Sequence, residues 1–216
     1  MKVLELRIFQ KSDKLKLVNS FCPNHPPKLS YKALCKVICT AYICIFKNLN
    51  PNCTIMNAPD FTTTLIVDNT PEEAFNAITN VRGWWSEEIE GGTTKLNDEF
   101  DYHYLDVHKC RMKLIEVIPN KRVVWSVLSN YFKFTKDTTE WTGTTIIFDI
   151  SEKDGKTLVR LTHQGLVPEY ECFDICSNAW TQYIQESLGS LITTGVGKPN
   201  RSDKPQTADE ARLAQQ

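Results

Sequence analysis

Thr157–Thr194 reads TLVRLTHQGLVPEYECFDICSNAWTQYIQESLGSLITT, and its hydrophobic period changes half-way along. Up to His163 the apolar positions alternate, so Val159, Leu161 and His163 share one face of a strand. From Glu171 onward Phe173, Cys176, Trp180, Ile184, Leu188 and Leu191 recur at helical spacing over about six turns, flanked by Cys172, Ala179, Tyr183 and Ile192. Gly195 supplies the stop. A strand that runs into a long amphipathic helix calls for a one-faced sheet for that helix to cover.

The sheet is written upstream. Thr144–Ser151 (TTIIFDIS) is a strand joined to Thr157–His163 by a hairpin turn at Asp154-Gly155. Before it come a strand carrying Val123, Trp125 and Val127, the turn Pro119-Asn120-Lys121, and a strand from Lys109 to Ile118 that turns Cys110, Met112 and Leu114 one way. Further back, Phe100, Tyr102 and Tyr104 alternate with Glu99, Asp101 and His103. Phe61–Val67 (FTTTLIV) is the first strand, rich in β-branched residues. A short helix follows, with Thr70 as N-cap, Pro71 at N1, Glu72 and Glu73 at its positive end, and Ala74, Phe75 and Ile78 as its apolar face. Val81–Ser86, with two adjacent tryptophans, reads as a second short helix or turn. The expected order is strand, two short helices, antiparallel meander, long helix.

The chain divides by composition. Residues 1–55 hold nine Lys/Arg against Glu5 and Asp13, and five of the eight cysteines, but none of the nine glycines or five tryptophans. Their net charge is +7, against −8 for the rest and −1 overall. This stretch is expected to be an extension outside the fold, with Met56 as the initiator. Its apolar run, Ala33–Phe46, is shorter than the about 20 residues a membrane-crossing helix needs. The domain is expected over residues 56–196, and residues 197–216, being polar, as a mobile tail.

The motifs of nucleotide, zinc-protease and serine-hydrolase chemistry are absent: no GxGxxG, GxxxxGK[ST], HExxH or GxSxG occurs. No basic cluster with interleaved aromatics points to nucleic acid. Asp101, His103, Asp106 and His108 are metal-ligand types close together. Asp101 and His103 fall on the expected solvent face, and Asp106 and His108 in the following turn, so no metal is assigned. Cys172 and Cys176 are not a Cys-x-x-Cys pair and read as small hydrophobes. No cofactor is assigned, and the expected location is the cytoplasm.

Gly83-Trp84-Trp85, Val123-Val124-Trp125, and Gly165-Leu166-Val167-Pro168 leading into a helix with Trp180 resemble the family related to the C-terminal domain of the Hsp90 ATPase activator. That family belongs to the START-like, or SRPBCC, superfamily of Bet v 1-like helix-grip folds. The resemblance spans about residues 60–195. It implies an α+β fold in which a curved antiparallel sheet, two short helices and a long C-terminal helix enclose a cavity. The expected cavity wall is Trp84, Trp85, Phe100, Tyr102, Tyr104, Trp125, Phe148, Leu161, His163, Phe173, Cys176 and Trp180. The same aromatics also read as plain core. Three functions stay open: binding a hydrophobic small molecule or a protein partner; a cyclase- or hydrolase-like enzyme using His163 or Tyr102 as acid or base; and regulation of an Hsp90-type chaperone without a ligand.

Overall fold

The computed structural model of the chain describes residues 58–215, so the expectations for residues 1–55 and for a start at Met56 lie outside the described residues. The elements run β1 (Phe61–Val67), α1 (Pro71–Thr79), a 3₁₀ turn (Val81–Gly83), β2 (Glu90–Gly91), β3 (Glu99–Tyr104), β4 (His108–Ile118), β5 (Arg122–Phe132), β6 (Thr145–Lys153) and β7 (Lys156–Gln164). The chain continues through α2 (Phe173–Gln182), a π-helical stretch (Tyr183–Leu188) and α3 (Gly189–Thr194), then α4 (Ala208–Leu213). The sheet order is β1-β7-β6-β5-β4-β3-β2, with every neighbour antiparallel.

Local chemistry sets the ends of these elements. Thr70 and Glu73 form a reciprocal capping box ahead of Pro71, which holds α1 to its register. Gly195, at φ 79°, ends α3 in the left-handed region where a side chain would be strained. α2, the π stretch and α3 follow one another without a break and form the long helix. The π stretch takes an extra residue into its turn, so the buried stripe runs through Cys176, Trp180, Ile184, Leu188 and then Ile192, while Leu191 is only half-buried.

The concave face of the sheet carries the core. Met112, Leu114, Trp125, Ile146, Phe148, Val159 and Leu161 are buried there beneath the long helix. Burying each such side chain contributes about 1.5–3 kcal/mol relative to exposure. Among the described residues, no helix is long and apolar enough to cross a membrane.

Residues 197–215 depart from the mobile tail their polarity suggested. Asn200 is fully buried; its N–H donates to Trp85 O at 2.9 Å and its carbonyl accepts from Glu87 N at 3.0 Å. Lys198 N donates to Ser187 Oγ at 2.7 Å, and Gln182 Nε2 donates to Gln206 O at 2.6 Å. Gly197 lies so close to Gly83 that an added Cβ would sit 2.1 Å from the Gly83 carbonyl oxygen. Polar side chains and backbone here are spent on hydrogen bonds to the domain rather than on water. α4 is held by a second capping box, Thr207 with Glu210, and presents Leu213 inward.

Candidate functional site

The interior has two ends. At one end, Trp84 stacks on Trp85 and Trp125 with ring centroids 6.3 Å apart in both pairs. Phe100 and Phe148 abut Trp125 at 5.3 and 4.9 Å. Trp84, Phe100, Trp125, Phe148, Leu161 and His163, all expected as cavity wall, are instead closed into this packing and the layer beside it. Trp125, Phe148 and Leu161 project from strand interiors, Phe100 and His163 from near the ends of β3 and β7, and Trp84 from just after the 3₁₀ turn. Phe173, at the start of α2, is half-buried and packs against the core rather than lining the cavity.

At the other end a cavity of about 60 Å³ remains. Of the expected wall, Trp85, Tyr102, Tyr104, Cys176 and Trp180 line it. His108, Phe132, Phe134, Trp141 and Tyr183 complete the aromatic lining, and Thr207, Asp209, Glu210 and Leu213 of the C-terminal segment close its mouth.

His163 lies just below. Trp180 Nε1–H donates to His163 Nδ1 at 3.1 Å. Since an indole nitrogen only donates, Nδ1 is the acceptor and Nε2 carries the proton. His163 Nε2 therefore donates to Thr144 Oγ1 at 2.9 Å, and Thr144 Oγ1 donates to Trp141 O at 2.6 Å. Burial pushes the imidazole down to about 3. With no lone pair free, His163 fixes Trp180 and the Trp141 loop and is not placed to accept a proton. Tyr102 OH accepts from Asn200 Nδ2 at 3.0 Å, and burial raises its phenol well above the usual range, followed by the Glu210 carboxylate.

Trp141 stands in the β5–β6 connection. Its backbone N–H donates to Asn130 Oδ1 at 2.9 Å, and the neighbouring Glu140 carboxylate accepts from Glu171 N at 2.7 Å and Cys172 N at 2.9 Å at the start of the long helix. That acceptor suits the positive end of a helix. So one loop is pinned to β5 and to α2, and the indole is fixed against Trp180 with centroids 5.8 Å apart.

His108 corrects the reading of the β3–β4 turn. It is the first residue of β4, paired directly with Tyr104. Residues in register across a hairpin share a face, so His108 points inward with Tyr104 and away from Asp101. Asp101 instead faces Arg111, and His103 faces Glu88. The His108 ring meets Tyr102, Phe132 and Trp141 at 5.0, 4.4 and 5.0 Å. Burial, then the neighbouring His163, lowers it to about 3. Three buried polar atoms of this corner, Tyr104 OH, His108 Nε2 and Trp141 Nε1, have no conventional hydrogen-bond partner among the described residues. The Cys176 thiol, a weak acceptor whose proton burial retains, lies beside the Trp141 N–H.

At the mouth, one carboxylate gathers the C-terminal segment. Glu210 accepts from Tyr183 OH at 2.6 Å, Asn200 Nδ2 at 2.9 Å, Gln206 N at 2.7 Å and Thr207 N at 3.1 Å.

The family described as "Activator of Hsp90 ATPase homolog 1-like protein" matches residues 68–193, more than half of the chain. The chain belongs to the activator of Hsp90 ATPase homolog 1-like family. That match takes in the sheet from α1 onward and the long helix, while the segment closing the cavity lies beyond it. No curated protein matches the chain. Among solved structures, the Aha1 dimer of Colwellia psychrerythraea is 22% identical, with 64% of this chain and 99% of that one covered at a TM-score of 0.53. A Staphylococcus saprophyticus protein is 16% identical over 65% of this chain and 96% of its own, at 0.47. CalU16 of Micromonospora echinospora is 16% identical over 71% and 80%, also at 0.47. The first of these likenesses, with the family match, confirms the α+β helix-grip fold.

Proposed function

We propose that this family member is a binding module for a small, mostly apolar molecule, and that the molecule sits between the β3–β4 hairpin, the Trp141 loop and the long helix. The observation that carries this is the contrast within one interior: tight aromatic packing at one end, and at the other an aromatic-lined cavity of about 60 Å³. Ligand sites are concave and apolar with a few fixed polar groups, and this end has that composition. Drug-sized ligands need about 300 Å³ or more, so the reading also requires that α4 swing outward to admit anything larger than a few waters.

The test is titration of an uncharged apolar dye, Nile red, into the full chain. One site with a low-micromolar Kd, about −8 kcal/mol, is expected. Cys176→Phe fills the cavity and is expected to abolish binding while the thermal transition persists. Undiminished binding to that variant, or none to the wild type, overturns the reading.

A protein partner is the second reading. Ile115, Ile118, Leu128 and Tyr131 are exposed apolar side chains on the outer face and edges of β4 and β5. The family name suggests an Hsp90-type chaperone as that partner. A raised ATPase rate of the host's purified Hsp90, lost on Leu128→Lys, would support it.

A further inference from the structure

The interior contains one corner whose hydrogen-bonding is incomplete on three residues that touch or pair with one another. Tyr104 and His108 are register partners, and the His108 and Trp141 rings meet edge to face at 5.0 Å. Tyr104 is 1% exposed and Trp141 3%, yet among the described residues Tyr104 OH and His108 Nε2 are without a partner and Trp141 Nε1 has only the weak Cys176 thiol beside it. Elsewhere in the same interior the Trp84 indole donates to Ile78 O and the Trp180 indole to His163, while Trp125 Nε1 is unpaired singly and away from the cavity. Buried polar groups left unpaired are uncommon in native proteins and call for an explanation.

We propose that this corner is the polar end of the ligand site and selects an uncharged molecule that presents one hydrogen-bond-accepting oxygen, such as a ketone, ahead of an apolar ring. This rests on the binding reading above and adds the ligand's chemical class. Trp141 Nε1 can only donate, and the thiol of Cys176 beside it is a weak acceptor that a carbonyl oxygen would outcompete. A carbonyl oxygen has two lone pairs, so it can accept from Trp141 and also from the Tyr104 hydroxyl or His108 Nε2–H. Among the described residues no Lys or Arg lines the cavity to neutralise an anion, and the nearby carboxylates are those of Asp209 and Glu210 at its mouth. A buried, unpaired carboxylate would therefore be penalised twice, by desolvation and by like charge. A cation would leave the indole N–H unanswered. The ring sits among Trp85, Phe132 and Trp180, which line the same space. An apolar cavity of about 150 Å³ takes a benzene ring, so this one takes it with α4 displaced.

Four probes of nearly one shape test the chemistry on the full chain: acetophenone, cumene, benzoate and phenyltrimethylammonium, each titrated by ligand-observed NMR. Acetophenone is expected to bind about tenfold more tightly than cumene, although cumene is the more apolar, and benzoate not at all. Trp141→Phe keeps the ring and loses the donor; it is expected to bring the acetophenone-to-cumene ratio to about one without weakening cumene. Tyr104→Phe, a second variant with its own effect on folding, is expected to reduce the ratio about threefold. Equal binding of acetophenone and cumene, or a ratio that neither variant changes, overturns the inference and leaves the binding reading standing. Tightest binding by phenyltrimethylammonium overturns it in favour of a cation site. Binding of none of the four removes the binding reading as well.

Discussion

His163 and His108 both meet the Trp141 ring, at 4.6 and 5.0 Å, and both are held neutral down to about 3. They differ in their partners. His163 has an indole on one nitrogen and a hydroxyl on the other, and around it the interior is closed. His108 has an unpartnered Nε2, and around it the interior is open. Burial alone lowers a histidine's basicity; what separates structure from a site here is whether the neighbouring groups complete its hydrogen bonds. The tryptophans divide by packing instead: Trp125 Nε1 is also unpaired, but Trp125 lies in the solid end while Trp141 lines the cavity.

The comparison is broken most severely at Trp125. Trp125→Ala is expected to cost about 3–5 kcal/mol, as for other large-to-small core changes. Trp141→Ala, with one face toward the cavity, is expected to cost about 2 kcal/mol less than that. Urea titrations of both variants measure the difference, and equal losses would mean that the two ends are packed alike.

Acid comes next. As pH falls below 6.5, the unfolded chain takes up protons that the two folded histidines refuse until about 3. Stability is therefore complete above pH 6.5 and is lost as pH drops, by about 2 kcal/mol per histidine at pH 5. Each single His→Phe variant is expected to remove about half of that dependence between pH 6.5 and 5, read from denaturant midpoints.

At neutral pH the two substitutions part. His163→Phe strands the Trp180 N–H and the Thr144 hydroxyl and is expected to cost about 2 kcal/mol. His108→Phe removes a nitrogen that is already unpaired and is expected to change stability by less than about 0.5 kcal/mol. Similar losses in thermal melts would erase the distinction. The smallest effect belongs to the mouth. Leu213→Ala is expected to cost about 1 kcal/mol, chiefly by loosening α4, with faster amide exchange confined to residues 200–214.

The sheet and the long helix were legible because their residues obey one period over many positions. Alternation in 157–163 and helical spacing in 176–188 each leave a single solution for which side is buried, and the π stretch alone moves the last turn of the stripe from Leu191 to Ile192. The site was legible only where it shares those elements, at Trp85, Tyr102, Tyr104, Cys176 and Trp180. His108 was misread because its inward direction depends on where the β3–β4 hairpin closes. A three-residue loop after Tyr104 makes the two partners, while a longer one would put His108 outside. Trp141 stands in a connection without periodicity, placed by Asn130 and Glu140, and no local pattern announces that. The C-terminal segment was judged by average polarity. Its T-x-x-E capping signature, Thr207 to Glu210, was visible, but the burial of Asn200 depends on neighbours distant in sequence.

The tryptophan contacts have an optical consequence. Trp84, Trp85, Trp125, Trp180 and Trp141 follow one another at centroid separations of 6.3, 6.2, 5.1 and 5.8 Å along the links 84–85, 85–125, 85–180 and 180–141. All five tryptophans of the chain are thus one array. Transition dipoles this close couple, so the native protein acquires an exciton couplet in its circular dichroism that vanishes on unfolding. Excitation absorbed anywhere in the array migrates to its lowest-energy member. A quencher seated in the cavity beside Trp85, Trp141 and Trp180 then drains excitation from the indoles coupled to them, and the protein carries its own reporter for whatever enters the cavity.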